Sequence, residues 1–199
     1  MANGVRKVNG ILFDLIAPLY DRVIRSPDPE RLRMLLDLPG PGWLLDAGGG
    51  TGRVAAKLCP WVERLVISDL SQPMLSQAAD KADGHCHLSL AWARVERLPF
   101  ADGAFARILV VDAFHHFSDQ PGALRELARV LQPGGRLVVE EPDIRRFGVK
   151  LVALAETLAL MGSRFRPPEV MRAMIAGVGL ESSAGDDGAG TAWVVGVKG

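Results

Sequence analysis

Cysteine is scarce in this chain of 199 residues, and its scarcity excludes two kinds of structure. The only two cysteines, Cys59 and Cys86, do not form a C-x-x-C pair. A structural zinc site needs several closely spaced ligands, and a disulfide-stapled secreted domain needs more cysteines. We therefore expect neither a metal centre nor a disulfide framework. His85 and His87 flank Cys86, but no further ligand stands nearby in the sequence.

The sequence also lacks an excess of charge and lacks long apolar runs. Lys and Arg together number 23, as do Asp and Glu, so the formal net charge is zero. Because no overall positive field attracts nucleic acid, we expect a small-molecule partner and no nucleic acid. No apolar run reaches the roughly 20 residues of a transmembrane helix, and residues 1–7 lack a signal-peptide core. We expect a cytoplasmic protein without membrane insertion, and the sequence leaves its oligomeric state open.

Predicted strands and helices alternate along the chain, which favours one α/β domain over residues 1–199. The expected strands cover residues 43–47, 64–68, 88–93, 106–111, 136–140, 180–183 and 192–197. The first five strands are separated by helices of crossover length and should pair in parallel. The linker between the last two strands is too short for a helix, so they should form an antiparallel pair. The pattern predicts a single Rossmann-like, doubly wound domain whose seven-stranded sheet is mostly parallel, with the last strand antiparallel.

The most informative pattern lies in residues 43–54, where an apolar run ends in Asp46 and is followed by four glycines and a helix start. Glycine permits positive φ and lets a ligand approach the backbone closely. The helix start offers free N–H groups and a positive dipole end. A dinucleotide fingerprint is incomplete, because Arg53 stands where its third glycine would be. The pattern therefore indicates a nucleotide-like ligand at the carboxyl end of the first strand.

Asp69 ends the second predicted strand, 17 positions after Gly52. A carboxylate at this place can accept hydrogen bonds from both hydroxyls of a ribose. The alternative is that Asp69 caps the following helix, but Ser71 is better placed for that role. We therefore favour the ribose-binding role.

Four segments, in this order, resemble the class I S-adenosylmethionine-dependent methyltransferases, in their type 11 branch. They are D-A-G-G-G-T-G at 46–52, D-L-S-Q-P-M-L at 69–75, L-P-F-A-D-G-A-F at 98–105 and L-A-R-V-L-Q-P-G-G-R-L at 127–137. The resemblance covers about residues 44–141. It implies S-adenosylmethionine as the cofactor and methyl transfer, by direct displacement, to a small apolar or aromatic acceptor such as a quinol.

The resemblance also implies a division of the domain and a set of cofactor-binding residues. Residues 1–40 would form an N-terminal helical lid, 43–141 the cofactor-binding core, 144–166 a second helical lid and 180–197 the final strand pair. Tyr20 would belong to the first lid, and Leu70 and Met74 would pack against the adenine. The predicted cofactor-binding residues are Tyr20, Asp46, Ala47, Gly48, Gly50, Gly52, Asp69, Leu70, Met74, Arg94, Val95 and Asp112.

Arg94 departs from the family pattern. The family usually has an acidic residue here, four positions before the leucine of L-P-F, and that residue accepts from the adenine amino group. A guanidinium has five donors and no acceptor. Adenine recognition would then depend on backbone carbonyls near Val95, or the pocket is altered.

Two histidines, His115 and His116, follow the fourth strand, at the point where the ligand crevice should open. They are our candidate catalytic residues, since they could orient the acceptor or take its proton. The alternative is that they only pack at the start of a helix. One of the nearby carboxylates Glu140, Glu141 and Asp143 could face the acceptor, but we favour the interpretation that all three lie in a solvated loop.

Two other functions stay open on the sequence alone. A binding module that holds the cofactor without turnover is supported by Arg94. A nicotinamide-dependent oxidoreductase is disfavoured by Arg53 and by the short link between the last two strands. The sequence leaves open the acceptor, its methylated atom and whether a general base is used.

Overall fold

A computed structural model describes residues 27–81, 86–158 and 162–199 of the chain, and its frame is one seven-stranded sheet. The strands follow the order β3-β2-β1-β4-β5-β7-β6 across the sheet. Their bounds are β1 Trp43–Ala47, β2 Arg64–Asp69, β3 His87–Trp92, β4 Phe105–Val111, β5 Leu131–Pro142, β6 Leu180–Asp186 and β7 Thr191–Lys198.

Helices connect these strands. Their bounds are α1 Pro29–Leu36, α2 Ala55–Leu58, α3 Gln72–Asp80, α4 Gln120–Val130, α5 Phe147–Leu158 and α6 Pro168–Ala176, with 3₁₀ turns at Cys59–Trp61 and Phe114–His116. Three helices begin at side-chain caps with proline in the first turn: Asp28, Ser71 and Asp119 each accept a hydrogen bond from a backbone N–H of the first turn. These caps satisfy donors that a helix start leaves without a partner.

The predicted fold class is confirmed. β1 pairs in parallel with β2 and β4, β2 with β3, and β4 with β5. β7 runs antiparallel to both β5 and β6. β5 begins at Leu131, five residues earlier than expected, because Leu131 pairs with Phe105 before a bulge that precedes Arg107. The parallel strands all point their carboxyl ends at one edge of the sheet, and the site lies at that edge.

Side chains of each central strand pack on both faces of the sheet. Leu44 and Leu109 belong to a cluster with Leu32 and Leu36 of α1, whereas their neighbours Leu45 and Ile108 belong to a second cluster with α4 and α6. Adjacent residues of a strand point to opposite faces, so one apolar strand serves both layers. This arrangement fixes the middle strands, whose ends carry the site.

The cysteines correct one expectation. Cys59 and Cys86 are joined by a disulfide, with their Cα atoms 5.2 Å apart. Cys59 lies in the turn that precedes β2, and Cys86 lies directly before β3. Because β2 and β3 are parallel neighbours, the residues preceding them meet at the same edge. The count of cysteines could not show this.

None of the helices in the described parts of the chain is long and apolar enough to cross a membrane.

Candidate cofactor site

A cavity of about 220 Å³ opens at the carboxyl ends of β1, β2 and β4. Ten of the residues predicted from the sequence line it: Asp46, Gly48, Gly50, Asp69, Leu70, Met74, Arg94, Val95, Asp112 and His116. The glycine turn, the end of β2 and the residues after β4 therefore come together around one space.

Four predicted residues have other places. Ala47 is fully buried, and it is absent from the cavity lining. Gly52 has φ of +71°, and a Cβ there would lie 3.0 Å from Ile67 and 3.1 Å from Ala78. Gly52 therefore allows the turn to lie close to the sheet and α3 and is not part of the cavity lining. His115 is buried behind the cavity, and Tyr20 lies outside the described residues.

The glycine turn folds back onto the end of β2. The backbone N–H of Gly48 donates to the carbonyl of Ser68 at 2.7 Å, and the N–H of Gly50 donates to Oδ2 of Asp69 at 2.9 Å. Gly50 has φ of +53°, and a Cβ there would meet only the Met74 sulfur, at 3.9 Å. The turn therefore presents bare backbone to the cavity at Gly50.

Asp46 is a buried carboxylate at the end of β1. Among the described residues, its Oδ2 is a buried side-chain oxygen without a hydrogen-bond partner. Burial raises the pKa of Asp46 to about 7, although the nearby Arg53 lowers it. Gly49 must be glycine here, because a Cβ would stand 2.7 Å from Oδ2 of Asp46. An unpartnered buried acceptor that lines a cavity is suited to a ligand that brings a donor.

Asp69 holds the turn and also faces the cavity. Its Oδ1 accepts from the N–H of Ser71 at 2.8 Å, and its Oδ2 accepts from Gly50. Ser71, not Asp69, caps α3 by accepting from the N–H of Met74, as expected. Asp69 therefore ties the glycine turn to the end of β2 and places its carboxylate at the cavity.

An ion pair crosses the floor of the cavity. Nη2 of Arg53 lies 2.7 Å from Oδ2 of Asp112, and the side chain of Arg53 is mostly buried. Burial, together with the negative charge of Glu141, raises the pKa of Asp112. Asp112 adopts φ of +51°, a strained value for a residue other than glycine. Arg53 was noted in the sequence only as the residue in place of a third glycine, so its role in the site was missed.

The polar rim of the cavity is formed by Arg94, Glu96 and Ser118. Nη2 of Arg94 donates to Oγ of Ser118 at 2.8 Å and to Oε1 of Glu96 at 3.3 Å. Burial raises the pKa of Glu96. Hydrogen bonds, first from Ser118, and the charge of Arg94 outweigh this effect, so that the pKa lies below its usual value. Arg94 is therefore held by neighbouring side chains, and Glu96 was missed from the sequence.

The histidine pair lies in the 3₁₀ turn that follows β4. Nδ1 of His115 forms a short hydrogen bond with Oε2 of Glu141, and the His115 ring stacks on Phe165 at 4.2 Å. Oε1 of Glu141 also accepts from the N–H groups of Ala113 and Phe114. Glu141 thus fixes the turn that bears both histidines.

His116 lines the cavity beside Phe117. Its Nδ1 lies 3.1 Å from Oγ of Ser163, and its ring centroid is 4.0 Å from that of His115. Burial, and to a lesser extent His115, lowers the pKa of His116 to about 3. His116 is therefore neutral at physiological pH.

The expectation of a solvated carboxylate loop after β5 was wrong. Glu140, Glu141 and Asp143 are all at most 2% exposed. Glu140 pairs with Arg31 of α1 at 3.0 Å, and Asp143 pairs with Arg145 at 2.9 Å. Since Arg31 stands 109 positions before Glu140, no local pattern could show this pairing.

The site suits a ligand that carries both an amine and a ribose. The unpartnered oxygen of Asp46 can accept from an ammonium group, and Asp69 can accept from vicinal hydroxyls. Met74 and Leu70 add apolar surface beside Asp69. S-adenosylmethionine has these groups, and the residues present fit it.

Comparisons with known proteins agree with this geometry. A methyltransferase domain model of the type 11 family matches residues 45–139. Demethylmenaquinone methyltransferase of Thermus thermophilus is 35% identical over 201 aligned residues, which cover 85% of this chain and 91% of that protein. The ubiquinone/menaquinone biosynthesis C-methyltransferase UbiE of Syntrophotalea carbinolica is 37% identical over 142 residues, covering 65% of this chain and 59% of that protein. The chain thus spans less than two thirds of the length of that second relative.

Among solved structures, a Thermotoga maritima protein described as an S-adenosylmethionine-dependent methyltransferase and possible histamine N-methyltransferase superposes with a TM-score of 0.73. The match covers 96% of this chain and all of that one at 20% identity, which supports the fold alone. The Thermus relative carries the family assignment, because the similarity extends over nine tenths of its length. This chain belongs to the class I S-adenosylmethionine-dependent methyltransferases, in their type 11 branch.

Proposed function

We propose that the chain transfers the methyl group of S-adenosylmethionine to an aromatic, quinol-like small molecule. One observation carries the proposal: Asp46, whose buried Oδ2 has no hydrogen-bond partner among the described residues, lines with Asp69 a cavity that continues to His116 and Phe117. The cavity therefore joins a polar cofactor end to an aromatic end. Two relatives support the acceptor class, since their names refer to demethylmenaquinone and to ubiquinone and menaquinone biosynthesis.

The bound cofactor supplies an activated methyl group on a positively charged sulfur. The protein then has to align the acceptor with that methyl group and exclude water. Asp46 holds the amino end of the cofactor, Asp69 holds its ribose, and Met74 packs against its base. Because each side chain belongs to the end of a different strand or the start of α3, the rigid sheet fixes their spacing.

Aromatic side chains form the acceptor end of the site. Phe117 lines the cavity and contacts Phe114 edge to face, with ring centroids 5.8 Å apart. The segment around Ser163 and Phe165 contacts the histidine pair. We propose that residues 144–166 roof the acceptor, with the N-terminal segment around Tyr20 as a second lid. An aromatic ring fits between such surfaces.

We propose that His116 orients the acceptor and is not the final holder of its proton. With a pKa of about 3, His116 is neutral and can accept a hydrogen bond from a phenolic hydroxyl. A base this weak keeps a proton poorly near neutral pH. Glu141 acts through His115 and the backbone turn to position His116, so it is a positioning residue.

The test is methyl transfer by the purified protein. The protein is incubated with methyl-labelled S-adenosylmethionine and a panel of short-chain quinols, catechols and histamine. We expect labelled product with a quinol, and its loss in Asp69→Ala. Tight cofactor binding with no labelled product across the panel would show that the chain is a binding module without turnover on these acceptors. Transfer of the labelled methyl group to histamine, and not to a quinol, would contradict the proposed acceptor class and point to an amine acceptor.

A further inference from the structure

Helix α5, Phe147–Leu158, exposes a continuous apolar stripe. The side chains of Phe147, Leu151 and Leu154 are 76%, 52% and 55% exposed, although large apolar side chains are usually buried. Their spacing of four and three residues places them on one face of the helix. Three large apolar side chains on one exposed face point to a surface that binds something.

Positive charge borders this stripe. Residues 144–166 contain five basic side chains and one acidic side chain, a net charge of +4, in a chain whose total is zero. Arg145 and Arg146 pair with carboxylates of the fold. Lys150, Arg164 and Arg166 are exposed, and they have no carboxylate within 4 Å among the described residues. Lys150, which lies between Phe147 and Leu151 on the same helix, therefore places beside the stripe a positive charge that no described carboxylate neutralises.

The stripe also lies beside the acceptor end of the site. Helix α5 starts six residues after Glu141, which holds the histidine turn. The segment that follows α5 returns to the same turn, where the N–H of Arg164 donates to the carbonyl of His115 at 2.7 Å. Both ends of the segment that contains α5 are thus attached to the acceptor end.

We propose that α5 is a membrane-surface helix that docks on an anionic lipid bilayer. Phe147, Leu151 and Leu154 enter the boundary between headgroups and acyl chains, and Lys150 contacts anionic headgroups. Apolar side chains flanked by basic ones are the composition of helices that lie in this interface. The docking surface does not depend on the proposed function. The role that we give to this surface does rest on the proposed function, because docking would place the acceptor end against the lipid layer in which a lipid-soluble quinol is dissolved.

A bilayer fits this surface better than a second copy of the chain does. A symmetric dimer through α5 would bury the Lys150 side chains of both copies in one contact. Like charges brought together at an interface oppose association. An anionic bilayer instead accommodates the apolar stripe at its acyl boundary and pairs the positive charge with its headgroups.

Vesicle flotation tests the proposal. The full chain is mixed with vesicles of phosphatidylcholine alone or with phosphatidylglycerol added, at low and high salt. We expect binding to anionic vesicles that weakens with salt. Replacing Phe147, Leu151 and Leu154 by serine should reduce partitioning at least tenfold, and Lys150→Ser should reduce it about fivefold. The matched controls are Met34→Ser, at an apolar side chain that is 64% exposed on α1, and Arg172→Ser, at an exposed cation on α6.

The outcomes separate the two proposals. Unchanged partitioning of the triple serine variant, or no binding of the native chain to anionic vesicles, would overturn the docking surface. A dimer in light scattering that the triple variant dissociates would assign the stripe to self-association. Methyl transfer to a water-soluble short-chain quinol is measured on the native chain in solution. Its absence, with vesicle binding intact, would refute the proposed function and leave the surface standing.

Discussion

Asp46 is an acid placed where its charge is costly. Its pKa of about 7 exceeds its ordinary value of 3.8, and the first cause is burial. An acid whose pKa is raised on folding adds stability below its ordinary pKa and loses it as the pH rises through the folded value. The folded protein therefore bears an increasing cost between about pH 4 and pH 7, and a ligand ammonium can offset it.

We expect Asp46→Asn to remove this pH dependence. The variant should gain stability relative to the native chain between pH 5 and pH 8, by roughly 2–4 kcal/mol in the free energy of unfolding. Urea unfolding of both proteins at the two pH values measures the difference, and the comparison across pH cancels any constant effect of the amide. Parallel curves for the two proteins would contradict a buried, titrating Asp46.

Asp69 gives a prediction about affinity. Asp69→Ala should weaken binding of S-adenosylhomocysteine by about 1–3 kcal/mol, since hydrogen bonds to two hydroxyls are lost.

Gly50→Val should abolish binding of S-adenosylhomocysteine, because a branched side chain would enter the cavity and cannot easily adopt φ of +53°. Calorimetry measures both. Asp102→Ala is the control, since that exposed carboxylate lies away from the cavity lining.

The residues found from the sequence and those missed differ in the range of their contacts. Asp46, Gly50 and Asp69 were predicted because chain order alone brings the ends of β1 and β2 together. Glu141 and Arg53 were not, since each depends on a partner tens of residues away. A carboxylate beside proline resembles a solvated loop unless its buried partners are known.

The 3₁₀ turn Phe114–His116 is too short to hold itself in place, and one side chain of β5 holds it. Glu141 accepts from two backbone N–H groups at the start of the turn and from His115. A buried acceptor with three partners is costly to remove, because the donors lose their bonds together. The proposed acceptor end of the site therefore depends on a side chain of β5 that does not line the cavity.

We expect Glu141→Ala to act on both stability and turnover. The free energy of unfolding should fall by about 3 kcal/mol, and kcat should fall while the affinity for S-adenosylhomocysteine changes little. Chemical unfolding, steady-state kinetics and calorimetry measure the three quantities. Glu181→Ala, at an exposed position of β6, is the matched control. An equal loss of cofactor affinity would place Glu141 in the cofactor site instead.

Across the whole molecule, Arg31 joins segments that are far apart in sequence. From α1 it pairs with Glu140 of β5 and Asp187 beyond β6, and its guanidinium lies 4.9 Å from the Trp193 ring centroid. The sequence predicted the sheet and its antiparallel pair from local periodicity. The sequence could not predict these contacts of Arg31, since no neighbouring residue indicates a partner in the last three strands or the turn between them.

Arg31→Ala should destabilise the fold by about 3–5 kcal/mol, because Glu140 would be left buried without its cation. Arg33→Ala, on the same helix, removes an exposed pair with Glu30 and a hydrogen bond to the Leu38 carbonyl, and should cost about 1 kcal/mol. Thermal and urea unfolding of the two variants measure the contrast. Equal effects would show that the pair with Glu140 contributes no more than a surface pair.

The position of β7 bears on how the chain is synthesised. It is the seventh strand in chain order, yet it lies between β5 and β6 and pairs with seven residues of each. Until residue 198 has left the ribosome, both neighbours present unpaired edges, which are templates for aggregation. A nascent chain stalled before β7 therefore exposes two aggregation-prone strand edges, one on β5 and one on β6. Chaperone capture of this protein should peak in the interval between synthesis of β5 and release of β7.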